Sequence, residues 1–150
     1  MISKTSAKSK DEPPLLIGWR ETVSLPELGV GRFSAKIDTG AKSAALHATD
    51  IRQVDHHVAF VLTLKGRNHH CILPLKGQRR VKSSSGHSET RAVVETQVKI
   101  GRHVLDVEVT LTDRTDMGVA MLLGRDSIGG QFLVHPTRTR ILSAAKRRKP

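Results

Sequence analysis

A period-two alternation of apolar and polar residues recurs in short runs along this chain and never settles into a helical period. Phe33, Ala35 and Ile37 alternate with polar neighbours, as do Val58, Phe60, Leu62 and Leu64, and then Cys71, Leu73 and Leu75. Successive side chains of a strand point to opposite faces, so each run reads as a half-buried strand. Gly66 and Asn68 mark a turn between the last two runs, which predicts a hairpin. A second hairpin is predicted from Val94, Val98 and Ile100, a turn at Gly101–His103, and Leu105, Val107, Val109 and Leu111. Val119–Leu123 is nearly continuous apolar sequence, as expected of a strand buried on both faces, and it stops at Gly124. Arg125–Ile128 suits a short helix, ended by Gly129 and Gly130. Long amphipathic helices are absent, which weighs against four-helix bundles and Rossmann folds. Many short strands with regular turns predict an all-β barrel or sandwich with one short helix near the C-terminus.

A chain of 150 residues suits one domain. The expected organisation is a flexible tail over 1–14, a domain over 15–143 and a basic tail over 144–150. Net charge is +11, and residues 137–150 hold six of the cations and no acid. That tail is expected to be solvated, with nucleic acid touched only through it, if at all. Three Phe, one Trp and no Tyr leave no aromatic platform for stacking single-stranded bases. No stretch approaches the ~20 apolar residues of a spanning helix, so no membrane is expected. The N-terminus lacks the apolar core of a signal peptide. Cys71 is the only cysteine, which rules out an intramolecular disulfide and a multi-cysteine zinc site, and suits a reducing cytoplasm.

The sharpest chemical feature is Ala35-Lys36-Ile37-Asp38-Thr39-Gly40-Ala41. An acid at the end of an apolar strand costs desolvation unless something pairs with it or hydrogen-bonds to it. Thr39 and Gly40 suit a tight turn whose N–H groups can point at the Asp38 carboxylate. About 85 residues later comes Met121-Leu122-Leu123-Gly124-Arg125-Asp126. This order, strand, Asp-Thr-Gly-Ala, β-rich middle and Leu-Leu-Gly-Arg-Asp, resembles one half of a retroviral-type aspartic protease. The resemblance is closer to a bacterial RimB-like, retropepsin-like family labelled ATP-dependent zinc proteases and associated with RimK-type glutamate ligases. The matching stretches are Ile17–Glu21 with Val23–Pro26, Ala35–Ala45, Arg80–Ser84 with Arg91, and Thr112–Arg114 with Met121–Arg125.

The resemblance implies a retropepsin-like barrel in which Asp38, Thr39 and Gly40 are catalytic, Thr39 buttressing paired loops and Gly40 admitting substrate to the backbone. Ala41 also matches the retroviral pattern. The aspartic mechanism needs two carboxylates, and one Asp-Thr-Gly supplies one, so a homodimer is expected. Asp113, Asp116 and Asp126 lack a second such frame and are read as structural. A flap tip is expected near Ser83–Glu89, and the hairpin over 56–75 has no clear retroviral counterpart.

The residues expected to bind substrate are Ala41, Lys42, Arg79, Arg80, Lys82, Ser84, Arg91 and Arg114. Their cations would rim a cleft suited to an acidic peptide, with only Glu89 opposing them. The ligase association implies an oligoglutamate tail as substrate and a RimK-type ligase as possible partner. Neither half of the family label finds support in the residues. No G-x-x-x-x-G-K-[ST] phosphate loop and no H-E-x-x-H occur, so no cofactor and no metal are expected. His56 and His57 could meet His69 and His70 across the first hairpin beside Cys71, but this spacing is loose for zinc. Two other classes stay open: a non-catalytic module binding an acidic peptide or the ligase, and a metal-dependent hydrolase using the histidines.

Overall fold

The structure, a computed structural model, describes residues 13–82, 85–114 and 118–145. Ser84, Asp116 and most of both expected tails lie outside the described residues. The chain begins with β1 (Leu15–Gly18) and β2 (Arg20–Leu25), a 3-10 turn at Pro26–Leu28, and β3 (Val30–Ile37). Then come β4 (Ala44–His47), β5 (Thr49–Val54), β6 (His57–Leu64), β7 (Arg67–Pro74), β8 (Gly77–Lys82), β9 (Ser88–Ile100) and β10 (His103–Thr112). It ends with β11 (Met121–Leu123), α1 (Arg125–Ile128), β12 (Phe132–His135) and α2 (Leu142–Ala145).

Seven strands form one sheet in the order β10-β4-β11-β3-β2-β9-β8, and β9 also pairs with β10. That second pairing closes the sheet into a barrel and leaves β8 outside the ring. Closure buries the inward residues of β2, β3, β9 and β10, among them Val23, Phe33, Ile37, Val98, Ile100, Val107 and Leu111. A large aliphatic or aromatic side chain taken fully from water contributes about 1.5–3 kcal/mol. The three-stranded sheet β5-β6-β7 lays Val58, Phe60, Leu62 and Cys71 on the same core. Its other face leaves Ile72 exposed. β1 and β12 form a separate parallel pair, with Leu16 opposite Leu133.

Both predicted hairpins are present, β6–β7 and β9–β10. Between them the structure adds a strand, β8, that the alternation does not predict. β9 starts at Ser88 and pairs with β8 from Gly77↔Val93 to Lys82↔Ser88. β8, GQRRVK, holds one apolar residue, so alternation could not reveal it. Two four-residue helices occur near the C-terminus where the sequence predicts one. The extra one, α2, is held by a distant carboxylate. Glu21, 0 % exposed, accepts hydrogen bonds from the N–H groups of Gly18, Ile141, Leu142 and Ser143 and from the Ser143 hydroxyl, at 2.7–3.1 Å.

Candidate active site

β3 carries Phe33, Ala35 and Ile37 into the core and ends where Asp38 meets solvent. The turn that follows is built from backbone. The Asp38 N–H donates to the Leu123 carbonyl at 2.9 Å, and the Ala41 N–H donates to the Asp38 carbonyl at 3.2 Å. The Gly40 N–H donates to Asp38 Oδ1 at 3.0 Å, which fixes the carboxylate rotamer and leaves Oδ2 open. Asp38 is half-buried, while Thr39 and Gly40 are exposed.

β11 passes behind this turn, parallel to β3 and antiparallel to β4. After it, the Arg125 N–H donates to the Ala41 carbonyl and the Asp126 N–H to the Lys42 carbonyl, at 2.9 and 2.8 Å. The Arg125 guanidinium donates to the Thr39 carbonyl at 3.0 Å. Gly124 permits this approach, because a Cβ there would lie 2.5 Å from the Ser43 carbonyl oxygen. The two stretches 85 residues apart are therefore one assembly. Arg125 thus positions the turn, a role that sequence alone signals only by its place right after Leu-Leu-Gly.

The expected substrate residues separate by strand face. Cross-strand partners share a side of a sheet. Arg79 pairs with Arg91 and Val81 with Glu89, on one face; Arg80 pairs with Thr90 and Lys82 with Ser88, on the other. Arg80 and Lys82 are exposed. Arg79 reaches Glu108 at 3.1 Å, so Glu89 is not the lone opposing acid. A cavity of about 230 Å3 beside Arg79 is lined by four carboxylates, Glu95, Asp106, Glu108 and Asp126, with Ser127. Arg91 is buried, 7 % exposed, with its Nε 3.4 Å from Glu89 Oε2 and its Nη1 donating to the Thr110 hydroxyl at 3.2 Å. Lys42 is exposed on the loop that follows Asp38, and the Arg114 N–H donates to His47 Nδ1 at 3.0 Å.

The histidine pairs do not converge. In the β6–β7 ladder His57 lies opposite Pro74, whereas His70 lies opposite Val61 and His69 opposite Leu62. The antiparallel register thus offsets His57 from His70 and His69 by four and five residues along the ladder. Cys71 is buried, and burial pushes its thiol pKa up. Among the described residues no group of three His, Cys, Asp or Glu side chains is placed to hold a metal ion. Nor is any helix among them long and apolar enough to cross a membrane.

Residues 16–145 match the family described as RimB-like, retropepsin-like aspartic endopeptidase RimB. A probable alpha-L-glutamate ligase of Desulfotalea psychrophila is 38 % identical over 136 residues, covering 85 % of this chain and 29 % of the ligase. One of Shewanella halifaxensis is 35 % identical over 132 residues, covering 83 % and 29 %. The chain thus spans 29 % of the length of these curated relatives. The crystal structure of a Legionella pneumophila protein of unknown function superposes with a TM-score of 0.75 at 30 % identity, covering 87 % of this chain and 99 % of that one.

Proposed function

The chain belongs to the RimB-like family of retropepsin-like aspartic endopeptidases, and on that premise we propose that it hydrolyses peptide bonds as a homodimer, with one Asp38 from each copy. The observation that carries this reading is the Asp38 turn, where a glycine N–H orients one carboxylate oxygen and a second strand backs the loop. Two such carboxylates across a two-fold axis share one proton. One draws a proton from water as it attacks, and the other donates to the scissile carbonyl oxygen. The resulting tetrahedral diol collapses with C–N cleavage as the first carboxyl passes its proton to the leaving nitrogen and the second recovers one from a diol hydroxyl, so no acyl-enzyme forms. Thr39, exposed at the turn, would brace the paired loops. Leu16 and Leu133 support a dimer: they are register partners on the terminal sheet, 43 % and 58 % exposed, and a second copy would cover them.

The substrate in this reading is an acidic, oligoglutamate extension added to a protein by a RimK-type ligase, in the cytoplasm. Support comes from relatives named as glutamate ligases, of which this chain matches 29 %. The exposed Arg80, Lys82 and Lys42 would add long-range attraction for a polyanion. The test is release of glutamate or short oligomers from a glutamate-extended peptide. Asp38→Asn should lower kcat by at least about a thousandfold while the melting temperature holds. Retained hydrolysis in that variant would overturn the aspartic mechanism. Sedimentation equilibrium at assay concentration should give twice the chain mass.

A further inference from the structure

Arg91, Glu89, Thr110 and Thr112 form a polar cluster where the β8–β9 hairpin meets β10. Arg91 leaves the outer face of β9, the face of Glu89, Val93 and Glu95, yet is buried against Thr110 of β10. The Thr110 hydroxyl accepts from Arg91 Nη1 and donates its own proton to the Ala44 carbonyl, both at 3.2 Å. Thr112 donates its hydroxyl to Glu89 Oε2 at 2.8 Å. Thr110 and Thr112 are 0 % and 1 % exposed. Ala44 opens the strand that leaves the catalytic loop, so the cluster bridges the β8–β9 hairpin and the exit of that loop.

The guanidinium is underused. A planar fork of five donors suits two parallel bonds to one carboxylate. Here Nε is buried and makes no aligned hydrogen bond, although Glu89 lies 3.4 Å away. Glu89 itself has a side chain 42 % exposed and sits at the second position of β9, beside the hairpin turn. A buried cation whose counterion comes from the wet side can exchange that counterion without unfolding. Arg79, opposite Arg91, does not compete for the role, because it already pairs with Glu108 at 3.1 Å beside a cavity lined by three further carboxylates.

We propose that Arg91, with Thr112 beside it and Thr110 behind, is the specificity-determining residue that seats one side-chain carboxylate of an acidic peptide, and that Glu89 fills the seat in the free enzyme as a built-in competitor. The inference rests on the proteolytic reading, and its test uses binding so that the two can fail separately. Tetraglutamate is titrated by calorimetry into the full-length Asp38→Asn protein, which cannot turn it over. Removing Glu89 removes an intramolecular ligand of high effective concentration, so Glu89→Gln in that background should tighten tetraglutamate binding about three- to tenfold. Arg91→Gln should weaken it by at least about thirtyfold. Tetraglutamine should respond to neither change. If Arg91→Gln fails to fold, Glu89→Gln alone decides, since that side chain is half exposed. Unchanged or weaker binding in Glu89→Gln makes Glu89 a structural clamp and overturns the proposal. Tetraglutamate binding through Arg91 with no hydrolysis by the wild type would sink the protease reading and leave the seat standing.

Discussion

Glu21 and Arg91 are both charged and both taken out of water, yet the barrel treats them in opposite ways. Glu21 sits where β1, β2 and α2 meet, and five donors converge on its two oxygens. Nothing of its acceptor capacity is left for a ligand. Arg91 sits where the β8–β9 hairpin meets β10, and one of its buried donors has no aligned partner. Burying a polar group is costly unless it is hydrogen-bonded, so the saturated site is what pure architecture looks like. An unsaturated buried donor facing a half-exposed acid stores recognition capacity instead. Asp38 falls between them, with one oxygen held by Gly40 and the other open.

Glu21→Gln should break the architectural side of this contrast hardest. In either orientation the amide puts a donor where a carboxylate oxygen accepted backbone N–H groups, from Gly18, Ile141 and Leu142 at Oε2 or from Ser143 at Oε1, at a cost of about 2–4 kcal/mol. Urea unfolding should show that loss, with kcat per folded molecule unchanged. A variant as stable as the parent would mean that the C-terminal segment is not latched there.

Gly124→Ala comes next and probes the catalytic side. The new methyl must push Ser43 and Ala41 away from β11, costing about 1–3 kcal/mol. Unlike Glu21→Gln, it should also lower kcat, because the displaced backbone carries the Asp38 turn. Stopped activity assays on protein verified as folded would separate the two effects.

Arg80→Ala with Lys82→Ala should have a smaller effect, because these side chains lie on the exposed face of the hairpin and not in the Arg91 seat. KM for a glutamate-extended peptide should rise about two- to threefold at low salt, and the difference should vanish near 0.5 M salt, since exposed charges are screened within roughly 10 Å. A salt-independent effect would place them in direct contact with substrate.

The smallest effect concerns Cys71, an uncharged buried group. Burial raises its thiol pKa, so at a given pH less of it is thiolate than of an exposed cysteine. Iodoacetamide labelling at pH 8 should be much slower in the native protein than in urea, and should speed up as pH rises further. Equal rates would mean that β7 lifts off the core.

Much of the barrel was legible in residue order because its strands are half-buried and its turns are local. The β6–β7 and β9–β10 hairpins follow from alternation interrupted by glycine. The Asp38 turn and the Leu-Leu-Gly stretch were recognisable from residue type and spacing. β8 was not, since its pairing with β9 stabilises a strand that carries a single apolar residue. The cations of that hairpin looked equivalent in sequence, and only pairing assigned Arg80 and Lys82 to one face and Arg79 and Arg91 to the other.

By itself the sequence determined an all-β chain, because period-two patterning can bury its apolar face only in sheets, and it marked Asp38 by placing an acid and a tight turn at the end of an apolar strand. Only tertiary structure decided what the other charges do. The Glu21 bonds to residues 141–143 and the Thr110 bond to Ala44 join positions 66 to 122 residues apart. No local pattern encodes such contacts. A strand's period puts Glu21 on the inward face of β2 and Arg91 on the outer face of β9, while whether a buried charge is saturated, as Glu21 is, or left with a spare donor, as Arg91 is, depends on which distant segment closes over it.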